Sequence, residues 1–86
     1  MTDMENPKVL SYDITEFSNY KEGDMFPVYD ALMNITFQLA KMDLDYMVHF
    51  TLAGSHMGQN GHRFVEIEFK TEEMAMMVKL KGLVKN

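Results

Sequence analysis

Two runs with a period of two, followed at once by a helix start, constrain this chain more than anything else in it. From Leu44 to Leu52 every second residue is apolar (Leu44, Tyr46, Val48, Phe50, Leu52), with Asp45, Met47, His49 and Thr51 between them. Val65, Ile67 and Phe69 alternate in the same way with Phe64, Glu66, Glu68 and Lys70. Such alternation belongs to strands with one buried face. Segment 53–62 between the runs holds three glycines and an Asn60-Gly61 pair, which supply the positive φ angles of a chain reversal. A long antiparallel hairpin is predicted, with 53–62 as its mobile loop. Thr71 then caps a helix with Glu72 and Glu73 at the positive end of its dipole. That helix ends near Leu80, where Gly82 follows Lys79 and Lys81.

Upstream, residues 1–7 read as a flexible lead-in ended by Pro7. Val9 to Phe17 reads as a first strand, with Leu10, Tyr12 and Ile14 on one side and Ser11, Asp13 and Thr15 on the other. A polar loop follows from Ser18 to Asp24. Asp24 is placed to cap a helix over about Val28 to Met42, with Pro27 in its first turn. The stripe Val28, Ala31, Leu32, Ile35, Leu39 and Met42 has the spacing of one buried helix face. Tyr29, Met33 and Phe37 fall on a different side, and the last helix is apolar nearly all round. The order strand, helix, strand, strand, helix predicts a single α+β domain over 1–86, a ferredoxin-like β-α-β-β-α plait. Its three-stranded antiparallel sheet has the order 2-3-1, with both helices on one face. No segment after Gly82 has the length of a fourth strand, so the first strand is expected at an open edge, where another chain can pair.

Asn60-Gly61-His62-Arg63-Phe64-Val65-Glu66-Ile67, with Thr71-Glu72-Glu73-Met74-Ala75 after it, resembles the third strand and second helix of an RNA-recognition-motif domain. About a quarter of the chain carries the resemblance. It implies the plait fold and, by analogy, a sheet that stacks bases. Of the stacking positions only Phe64 is aromatic, His62 and Ser11 standing at the others.

Charge and motif content narrow the function. Thirteen acidic against eight basic residues, net −5, argue against a nucleic-acid partner, whose phosphates are held by lysine and arginine. The absence of cysteine excludes disulfide and thiolate chemistry, no uninterrupted apolar span suits a membrane, and the expected location is cytoplasmic. The open sheet face is expected to carry Ser11, Asp13, His62, Phe64, Glu66 and Glu68, together with Met47, His49 and Thr51. No metal, phosphate-loop or triad spacing occurs among these residues. The chain therefore reads as a small non-enzymatic, cofactor-free and metal-free protein-interaction protein and a homodimer, of the acidic accessory type common in phages and bacteria. Its partner-binding residues are expected to be Tyr29, Met33, Phe37, Ser11, Asp13, Phe64, Glu66 and Glu68. A second reading is a degenerate nucleic-acid binder using His62, Arg63, Phe64, Lys79, Lys81 and Lys85. A third is a metal-dependent enzyme using Asp13, Glu66 and His49.

Overall fold

Val65, Ile67 and Phe69 put a fully apolar row on one side of a single strand, and the rest of the core collects over that row. The computed structural model describes residues 6–18, 27–58 and 61–85. Strand β1 (Val9–Asp13) leads into a single helical turn, α1 (Ile14–Phe17), and then helix α2 (Pro27–Ala40). Strands β2 (Phe50–Met57) and β3 (Arg63–Phe69) form the hairpin, and α3 (Glu72–Lys81) follows. The three antiparallel strands have the order β1-β3-β2, so the expected α+β plait is the observed one. Ala31, Ile35 and Leu39 from α2, Ala75 and Val78 from α3, and Phe17 from α1 all join the inner residues of β3 in one core. Among the described residues no helix is long and apolar enough to cross a membrane. The Asp24 cap and most of the expected lead-in and polar loop lie outside the described residues.

Three boundaries differ from the sequence pattern, each for a local reason. The first strand stops at Asp13, because the Asp13 carboxylate accepts from the amide of Thr15 at 2.9 Å and starts a helical turn. With Glu16 three residues on, Asp13 matches the cap-x-x-acid signature of a helix start. The second difference is the start of β2. Val48 and His49 both donate to the carbonyl of Asp45, Met47 takes φ 71°, and the chain from Asp45 to His49 is a turn rather than a strand. Tyr46 and Val48, placed in the core by alternation, are 53% and 57% exposed. Third, Ala53 to Met57 belong to β2 and not to a mobile loop. A register shift between Leu52 and Gly54 takes up one residue, and Ser55, His56 and Met57 then pair with Val65, Phe64 and Arg63. Such a bulge re-aims the strand without ending the ladder.

The helix ends are built as their sequences require. α2 closes in a Schellman motif: Leu44 donates to the carbonyl of Leu39 and Asp43 to that of Ala40, with Asp43 in the left-handed region at φ 65°. Leu39 and Leu44 are both buried, which supplies the motif's apolar contact. At α3, the Thr71 hydroxyl accepts from Met74 at 3.1 Å, and Gly82 donates to Val78 at 2.8 Å. Gly82 lies at φ 74° and ψ 154°, a region open to glycine alone. The turn it makes lets Val84 exchange two hydrogen bonds with the Gln38 side chain, at 2.7 and 2.8 Å. A Cβ at Gly82 would meet nothing within 4 Å, so the cost of Gly82→Ala is backbone strain alone. Urea unfolding should show a loss of about 1–3 kcal/mol. An unchanged midpoint would mean that the chain after α3 leaves Gln38 in solution.

Candidate functional site

The sheet face turned away from the helices is laid out by strand register. Asp13, Phe64 and His56 form one cross-strand row, Ser11, Glu66 and Gly54 the next, and Val9, Glu68 and Thr51 a third. The carboxylates in the first two rows are held by imidazoles. His62 Nδ1 donates to Asp13 Oδ2 at 2.8 Å, and the Thr15 hydroxyl donates to Asp13 Oδ1 at 2.7 Å. His56 lies flat on the Phe64 ring, with centroids 5.3 Å apart and planes at 8°, and its Nδ1 donates to Glu66 Oε2 at 2.8 Å. Burial pushes the Asp13 carboxyl up, but the hydrogen bonds from His62 and Thr15 and the charge of His62 outweigh it and hold the group below its ordinary range.

The expected face is therefore present in part. Ser11, Asp13, Phe64, Glu66, Glu68 and Thr51 stand on it. Asp13, 9% exposed, is enclosed by its own partners and offers little to another molecule. Met47 and His49 are in the turn before β2, where His49 Nδ1 accepts from the Asp45 amide at 2.9 Å. The trio Asp13, Glu66 and His49 is thus divided among three separate networks. Among the described residues no group of three or more His, Cys, Asp or Glu could hold a metal ion. The nucleic-acid set is divided too. Arg63 stands on the opposite side of β3 from Phe64 and reaches Ser55 Oγ at 3.4 Å, while Lys85 pairs with Glu16 at 3.3 Å. Lys79 and Lys81 are exposed on α3. His56 is the residue on this face that alternation within the expected loop did not reveal; reading β2 through Met57 would have found it.

Two further surfaces stand out among the described residues. On α2 the outward stripe of Tyr29, Met33 and Phe37 is 68%, 71% and 69% exposed, opposite the buried Ala31, Ile35 and Leu39. Lys41 Nζ lies 5.7 Å from the centre of the Phe37 ring. Along the free side of β1, between that strand and α3, runs a groove of about 1,110 Å³ whose apolar lining includes Leu10, Tyr12, Ala75, Met76, Val78 and Leu83. Tyr12 packs edge-on to Phe17, with centroids 5.4 Å apart, and burial pushes its phenol up to about 12.

Fold and surfaces together define a small α+β plait with a histidine-clamped acidic face, a strand edge that is unpaired among the described residues, and an apolar stripe on one helix. No family model matches the chain, and no solved structure matches it. Among curated proteins it is similar to a phosphoserine aminotransferase from Idiomarina loihiensis, with 40% identity over 58 residues. The match takes in 65% of this chain and 16% of that enzyme, so the chain spans about a sixth of the relative's length.

Proposed function

We propose that this chain is a small non-enzymatic interaction protein that works as a cytoplasmic homodimer and docks another protein on the outer stripe of α2. The observation that supports this reading is the exposure of Tyr29, Met33 and Phe37 on a four-residue repeat, three large apolar side chains on one line. Scattered surface apolars are ordinary, whereas a contiguous patch marks an interaction site. The sheet face that carries Phe64 with the acidic Glu66 and Glu68 is a further contact surface for the same partner, and no cofactor is required. An accessory role of the kind common in phages and bacteria suits a domain of this size and charge. The segment shared with phosphoserine aminotransferase is 16% of that enzyme and supports a common structural piece rather than a common reaction. Nucleic-acid binding is the weaker reading, since Arg63 and Phe64 face opposite ways and acids outnumber bases.

A photoreactive benzoylphenylalanine at Met33, activated in the expressing cell, tests the proposal. It should crosslink to a different protein, and the double variant Tyr29→Ser, Phe37→Ser should abolish that product. Met33→Ser alone should move stability by only about 0.5 kcal/mol, as for surface positions generally. A variant that unfolds, or a crosslink that ignores the double variant, would show that the stripe serves the fold or nothing specific.

A further inference from the structure

We infer that the groove between β1 and α3 is filled by the β1 strand of a second copy of this chain, paired antiparallel about a two-fold axis at Ser11. The inference rests on the interaction reading above and gives its dimer an address. Three observations lead to it.

The first is the strand's own hydrogen-bonding sides. Phe69 donates to the carbonyl of Lys8 at 2.8 Å, and Lys8 stands opposite Phe69 by the register that pairs Val9 with Glu68. Main-chain groups of antiparallel strands alternate sides, so Leu10 and Tyr12 turn theirs to β3 while Ser11 turns its amide and carbonyl to the open edge. Among the described residues β1 pairs with β3 alone. An exposed donor and acceptor on one residue are a template for strand addition.

The second is the groove, which supplies the side-chain half of such a site. Its floor is apolar, formed by Leu10 and Tyr12 of the strand and Ala75 and Val78 of the helix, with the 60%-exposed Met76 beside them. A strand added at the edge sends alternate side chains onto that floor. Charges of both signs line the rim: Glu16 is bonded to Lys85 at 3.3 Å, and Glu72 and Lys79 stand two turns apart on α3.

The third is that β1 is complementary to itself. With Ser11 opposite Ser11 of the second copy, Leu10 faces Tyr12 and Val9 faces Asp13. The single charge of Val9–Asp13 therefore meets an apolar residue and never its own copy. Each strand lays a second Leu10 and Tyr12 pair beside the one already in the other copy's groove, an isologous contact that closes at two chains. The product is one six-stranded sheet of order 2-3-1-1-3-2.

Light scattering over a range of concentrations, with pyrene labels, decides the matter. Wild type should approach twice the chain mass of 10.0 kDa. Ser11→Pro should halve that mass while keeping its circular dichroism, because an edge strand tolerates proline where the amide faces outward. The chain has no cysteine, so Ser11→Cys carries the only thiol. Its pyrene conjugate should show excimer emission, and that of Glu73→Cys should show none. A wild-type monomer at every concentration overturns the inference. A dimer that survives Ser11→Pro without excimer at position 11 overturns it as well, because another surface then holds the copies together. A monomer that still crosslinks a foreign protein through position 33 would sink only the strand pairing. A β1 dimer without that crosslink would sink only the docking role of α2.

Discussion

Phe69→Ala is expected to bring the domain to the edge of unfolding. The ring is 1% exposed, contacts Phe50 at a centroid distance of 6.0 Å and lies at the end of the β3 row on which both helices rest. Removing a buried phenylalanine costs about 3–5 kcal/mol, from lost burial and the cavity left behind. Domains this small have a stability near the low end of about 5–15 kcal/mol, so most of the margin goes. Tyr46→Ala is the informative partner measurement. Alternation puts Tyr46 in the same core, yet it is 53% exposed and touches Phe50 edge-on at 5.8 Å. That contact is worth about 0.5–1.5 kcal/mol. Urea midpoints should therefore differ widely between the two variants. Equal losses would restore residues 45–49 to a buried strand.

Asp13→Ala should cost about 2–4 kcal/mol, combining a lost helix cap with the lost charge-assisted bond to His62. Three groups lose a partner at once: the Thr15 amide, the Thr15 hydroxyl and His62. The effect carries a pH signature. Because the folded carboxyl titrates below its ordinary value of 3.8, the ionised form is the one the fold prefers. Its contribution is complete above that value and is lost as pH falls through the folded pKa. The stability gap between wild type and Asp13→Ala should therefore be constant at neutral pH and shrink in acid. A gap that persists unchanged in acid would mean that Asp13 acts through packing and not through charge.

The sequence was most legible where one local rule acted alone. Thr71, Glu72 and Gly82 bound α3 as their chemistry requires, and Ala31, Ile35 and Leu39 face the core on the predicted stripe. Legibility failed where two patterns competed. The residues from Asp45 to His49 satisfy strand alternation, but backbone bonds from Val48 and His49 to Asp45 close a turn first. Around Gly54 the glycine that signals a loop instead sits in β2 opposite Glu66. A Cβ there would meet only the Glu66 carboxylate, at an ordinary contact distance of 3.4 Å, so nothing at this strand position demands glycine. The candidate site suffered most, since His56 reaches Phe64 and Glu66 only through that shifted register.

By itself, the order of apolar periods, caps and breakers determined that this chain makes a sheet of order β1-β3-β2 with helices on one side, because those signals are local and each element states its own buried face. Tertiary structure alone decided which polar groups meet. Asp13 and His62 are 49 positions apart, and their contact follows from the pairing of β1 with the start of β3. The α2 stripe lies outside for the same kind of reason. Its residues are as apolar as those of the core, and only the docking of Ala31, Ile35 and Leu39 on the sheet leaves Tyr29, Met33 and Phe37 to the solvent.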